Sequence, residues 1–136
     1  MITTRHQRIN LRRDGTATVE LSICLPVFIL ILLGSIEASN LIYLRESLCL
    51  ASYEAARQTI ADGGTKQKAE RIATEILKSR GITDLNVTIT PNDLSKVAAG
   101  TPVTVTVSVP VHTQSMLPKQ IYGQRSISAQ STFVKE

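Results

Sequence analysis

The stretch GTATVELSICLPVFILILLGSIE, residues 15–37, decides how this chain is built. Between Glu20 and Glu37 it holds sixteen residues without a charge. At a helical rise of ~1.5 Å per residue the run covers roughly 24 Å, against ~30 Å for a bilayer core. Continuing the helix through Glu37 and Asn40 to Leu44 fills that core. Glu37 then falls near the outer headgroups, where a long acid reaches water or meets a neighbouring helix. Glu20 is the harder residue to place. A carboxylate at membrane depth costs about 2.5–3.5 kcal/mol or more unless paired, and so points to a function. The partner the sequence offers is a new α-amino group. Cutting after Gly15 creates one on Thr16 and makes Glu20 the fifth residue of the shortened chain.

Upstream, residues 1–15 form a basic leader with Arg5, Arg8, Arg12 and Arg13 against Asp14. It holds three of the four excess positive charges of the whole chain. The remainder is nearly neutral, and the five aromatics are scattered. A nucleic-acid binder keeps its basic patch on the folded domain with aromatics to stack bases, so that class is excluded. The same asymmetry sets an orientation. Basic residues within ~15–20 positions of a span stay cytoplasmic, whereas Arg45 and Arg57 beyond it are offset by Glu46 and Glu54.

Other readings of the N-terminus explain less. A secretory signal needs small residues at its cleavage site, and Ile36-Glu37-Ala38 supplies none. A lipoprotein site fails because Ile23 is too bulky before Cys24 and because that cysteine opens the apolar run. An uncleaved single-span anchor explains the run but not Glu20. The two cysteines, Cys24 and Cys49, lie about 37 Å apart on one helix and cannot bridge each other within a chain. Both read as small packing residues, Cys49 as a buried one.

The segment Gly15-Thr16-Ala17-Thr18-Val19-Glu20-Leu21 resembles the processing site of type IV prepilins. Residues 14–57, with Gly15-x4-Glu20, Pro26, Gly34-x-x-Glu37 and a polar helix running into Ala-rich sequence, are similar to the TadE-like family. Those are minor pilins or pseudopilins of the tight-adherence (Tad) pilus machinery. The resemblance implies cleavage after Gly15 by a prepilin peptidase on the cytoplasmic side. It further implies a single span in the bacterial cytoplasmic membrane and packing of the N-terminal helix among other pilin and Tad subunits.

Beyond the span the helix continues, since residues 41–61 lack Gly and Pro. Leu41, Leu44, Leu48, Ala51 and Ala55 recur at alternating three and four spacing, a stripe able to meet a second helix or the chain's own domain. Asp62-Gly63-Gly64 stops it, Thr65 caps a second helix over 66–80, and Gly81 closes that one. Ala69, Ile72, Ala73, Ile76 and Leu77 give this helix one apolar face. The period then changes to two. Leu85, Val87 and Ile89 mark one strand, Val103 to Val111 a second, and Ile127, Ala129 and Phe133 a third. Pro110 places its strand end at an edge or where pairing stops.

The expected architecture is α+β: a leader over 1–15, a transmembrane and stalk helix over 16–61, and a small antiparallel head over 62–136. Nothing in the sequence reads as catalysis. His6 and His112 stand apart from any metal-ligand cluster, with His112 expected at the surface. No phosphate loop or activated nucleophile is recognisable. No cofactor, metal or small-molecule substrate is expected. The expected function is structural: a minor pilin in Tad pilus assembly whose working residues are Gly15, Thr16 and Glu20, with Glu37 and the Leu41–Ala55 stripe as candidate helix contacts. The alternative is an uncleaved anchor presenting an extracytoplasmic interaction domain.

Overall fold

The computed structural model describes residues 11–61, 64–94, 97–116, 120 and 123–135, with side chains from Gly15 onward. Most of the leader, and Asp62 and Gly63 of the expected helix stop, lie outside the described residues. The architecture is α+β. Helix α1 runs Leu11–Ile60 and α2 Lys66–Ser79; strands β1 Asn86–Thr90, β2 Pro102–Pro110 and β3 Ser126–Val134 follow. The chain divides into two compact units at Ile36 and Glu37. The first described unit is therefore helix alone, and the second contains the rest of α1, α2 and the sheet.

In the second unit the strands form an antiparallel meander in the order β1-β2-β3. Strand β2 alternates perfectly, and the register turns that alternation into a core. Val107 stands between Val87 and Ala129, Val105 between Ile89 and Ser131, and Val109 opposite Ile127. Val103, Val105, Val107 and Val109 are fully buried, while Thr104, Thr106 and Ser108 remain on the other face. There Thr104 and Thr132 join hydroxyls across the strands at 2.8 Å. Both prolines of β2 stand opposite β3 residues but beyond the ends of β1. The bonds Val111 N–H to Arg125 and Lys135 N–H to Thr101 fix which residues bond to β3. By alternation the nitrogens of Pro102 and Pro110 face the β1 side, where no strand is there to miss a donor.

Three strands with one apolar face need a cover. Leu44, Leu48, Ala51, Ala55 and Ala56 of α1 and Ala69, Ala73 and Leu77 of α2 join the valine row in one core cluster. Ile82 and Ile89 complete its large buried side chains. Capping chemistry holds α2 in place. The Thr65 hydroxyl accepts from the Lys68 N–H at 3.3 Å. At the other end Ile82 N–H returns to the Leu77 carbonyl, and Gly81 takes a φ of +77° that a side chain would resist. Lys66, poorly placed for the helix dipole, instead meets Glu70 and the Asn92 side-chain oxygen Oδ1 at 3.9 and 3.1 Å. Gly64 is required by space: a Cβ there would overlap the carbonyl oxygens of Gln58, Thr59 and Ala61.

Two substitutions test the sheet's polarity. Val107→Asp puts a carboxylate among apolar side chains and should abolish cooperative unfolding of the second unit by circular dichroism. Thr106→Asp, on the opposite face, should cost no more than about 1 kcal/mol in the same assay.

Candidate functional site

The candidate site begins where α1 becomes accessible on every side. From Gly15 to Ile36 each residue is exposed, including Leu21, Ile23, Phe28, Leu30 and Ile31. A helix apolar all round is suited to lipid or to the middle of a large core. Among the described residues this is the one helix long and apolar enough to cross a membrane. The two serines of this stretch are satisfied within the helix: Ser22 donates to the Thr18 carbonyl and Ser35 to Leu32, each at 2.8 Å. In hydrocarbon such internal bonding is what makes a serine tolerable.

Gly15, Thr16 and Glu20 all lie within α1, which starts at Leu11 and runs through the expected cleavage point without a break. Thr16 and Glu20 are one turn apart and share a helix face. Glu20 is exposed and forms no ion pair among the described residues. A Cβ on Gly15 would meet nothing within 4 Å. The fold therefore does not require glycine there, although glycine in a helix costs about 1 kcal/mol relative to alanine.

Glu37 departs from the expected reach into water: it is only 5% exposed, and its Oε2 accepts the Met116 backbone N–H at 3.2 Å. The physical reason is that the second unit closes over α1 from this residue onward. The continuation of a lipid-facing span to Leu44 is corrected for the same reason, since Leu44 is fully buried in the protein's own core.

The stripe Leu44, Leu48, Ala51 and Ala55 packs under the sheet, and Leu41 is partly covered at its start. The face left open to a second helix carries Ile42, Tyr43, Cys49, Leu50 and Tyr53. Cys49 is thus exposed rather than buried, one position and about 100° around the helix from Leu48. Tyr53 also reaches the sheet, its ring meeting Phe133 edge-on at 5.4 Å. From the sequence Arg80 reads only as a favourable charge at the end of α2. It donates to the Ser47 hydroxyl at 3.1 Å and lies 5.6 Å over the Tyr43 ring, tying the end of α2 to α1. No local signal announces it, because its partners are more than thirty residues away. His112 is half-buried, not a surface residue, and its Nδ1 is covered without a hydrogen-bond partner. Among the described residues no group of His, Cys, Asp and Glu is arranged to hold a metal.

Residues 15–57 match the family model described as TadE-like protein, a family associated with the Tad pilus. The match covers the segment whose motifs led to that expectation and ends three residues before α1 does. No curated protein and no solved structure matches the chain.

Removing the Glu37 carboxylate leaves the Met116 N–H without its acceptor. Glu37→Ala should destabilise the second unit by about 1–3 kcal/mol. Limited proteolysis should then cut between Thr113 and Ser126 faster than in the parent, while Glu37→Gln, which keeps an acceptor oxygen, should lie between the two.

Proposed function

We propose that this chain, TadE-like over residues 15–57, is a non-enzymatic minor pilin or pseudopilin of a Tad-type pilus assembly system. A prepilin peptidase removes residues 1–15 at the cytoplasmic face of the inner membrane. The mature chain crosses that membrane once and carries its α+β unit outside. Its partners are the bilayer, the peptidase and other pilin-like subunits. The four leader arginines support this orientation.

The observation that carries the reading is the pair Gly15 and Glu20. The glycine lowers helix propensity, and no contact in the fold requires it. The acid stands exposed at the start of an apolar span and has no ionic partner among the described residues. Both become purposeful if a peptidase reads the glycine and the Thr16 amine of one subunit neutralises the Glu20 carboxylate of another. Attraction in a low-dielectric medium is far stronger than in water. A buried charge left alone is penalised, so the pair also acts as a register device between helices.

N-terminal sequencing of protein recovered from membranes is the direct test. A mature start at Thr16 supports the proposal; retention of Met1 to Gly15 favours the uncleaved anchor instead. Gly15→Ala should slow or block processing. Glu20→Ala should be processed at close to the parental rate, yet co-purify with assembled subunits at least tenfold less. Normal incorporation of that variant would refute the charge pairing.

A further inference from the structure

Glu37 has a second consequence, one that concerns the lipid surface. The exposed part of α1 from Thr16 to Ile36 spans about 31 Å, which just fills a bilayer core of ~30 Å. With Thr16 to Ile36 filling the core, Glu37, the next residue, falls in the outer headgroup layer. Its carboxylate holds the Met116 N–H at 3.2 Å, which brings Met116 to the same level. The Met116 side chain is 73% exposed, the most open large apolar side chain of those described.

The rest of that end of the domain suits the same surroundings. Leu41, Ile42, Arg45, Ile127 and Ser128 line one shallow groove, in which apolar side chains lie beside an exposed guanidinium. Arg125, also exposed, precedes β3 at the same end of the sheet and accepts the Val111 N–H through its carbonyl. Long basic side chains above apolar ones match the chemistry of a phospholipid interface.

We infer that the Glu37 end of the α+β unit rests on the outer lipid surface, with Met116 as an apolar peg among the headgroups and Arg45 and Arg125 facing the phosphates. Glu37 has the role of a tether, setting the depth of Met116 through its backbone. This inference rests on the reading of residues 16–36 as a membrane span and adds to it a docking surface on the folded unit.

The test uses the full chain in vesicles of phosphatidylcholine with a minority of phosphatidylglycerol. Single cysteines in a Cys24→Ser, Cys49→Ser background carry an environment-sensitive fluorophore at Met116→Cys or at Ala99→Cys, which lies at the far end of the sheet. A third protein keeps Cys24 alone and reports on the span. Met116→Cys leaves the backbone N–H to Glu37 in place. Headgroup-level spin-labelled lipid should quench the Met116 probe at least threefold more than the Ala99 probe, while deep spin labels quench Cys24. Quenching at Cys24 without quenching at Met116 would overturn the docking surface and leave the span intact. A Cys24 probe that escapes deep quenchers would overturn the span, and the docking surface with it. Adding Glu37→Ala should lower Met116 quenching toward the Ala99 level, and an unchanged value would overturn the tether. Replacing both arginines, Arg45→Ala with Arg125→Ala, should lower Met116 quenching at least twofold, and an unchanged value would overturn the role given to them.

Discussion

Burial of the Leu44, Leu48, Ala51 and Ala55 stripe with the valine row of β2 is the interaction on which the folded unit depends. Strand β2 offers four fully buried valines on one face, and α2 contributes Ala69, Ala73 and Leu77 with the partly buried Ile76 to cover them. Without the second half of α1 that row would face water, at a loss of roughly 1.5 kcal/mol or more for each side chain. Two alanines in the stripe let the helix backbone approach the sheet closely. The compact unit therefore begins at Glu37, inside the helix, and not at the glycine break near residue 64.

The same packing explains where polar groups enter an otherwise apolar interface. Ser47 donates to the Tyr43 carbonyl at 2.7 Å and Ser52 to Cys49 at 3.0 Å, so each hydroxyl is satisfied along its own helix. Each then has capacity for one partner from elsewhere: Arg80 for Ser47, and the Ser131 hydroxyl for Ser52 at 3.0 Å. These bonds add little net stability individually. Their effect is on register, since a helix rotated or slid by one residue would leave buried oxygens unpaired. Glu37 does the same at the start of the unit, where burial of a carboxylate is tolerable only with donors in place.

What the sequence revealed and what it concealed divide along one line. Features written into local order were legible: the period-two row from Val103 to Val109, the Thr65 cap, the Gly81 closure and the uncharged run before Glu37. Features that depend on a distant partner were not. Glu37 and Met116 are 79 residues apart, and nothing near Glu37 in the chain predicts its burial. Cys49 is a different kind of error. Its residue type favours burial, but the phase of the stripe already turned it outward, and phase outweighs type on a helix with one covered face. Of the candidate site, one continuous helix through Thr16 and Glu20 was expected from residue 16 onward, whereas its start at Leu11, which takes in Gly15, and the closing of the protein over α1 at Glu37 were not.

That closing changes how the span must be measured. While residues up to Leu44 were available to lipid, the membrane could be filled without Thr16 to Glu20, and the acid could lie in cytoplasmic water at no expense. With Glu37 and Leu44 claimed by the folded unit, length has to be found upstream. Counting back ~30 Å from Ile36 reaches Thr16, which on the proposed span puts Glu20 about 6 Å inside the hydrocarbon. An acid at that depth is costly unless a cation comes to it. The pairing proposed above supplies one from a neighbouring subunit, the Thr16 amine that cleavage after Gly15 would create. The Glu37 hydrogen bond at one end of the apolar stretch thus sets the terms for the Glu20 charge at the other.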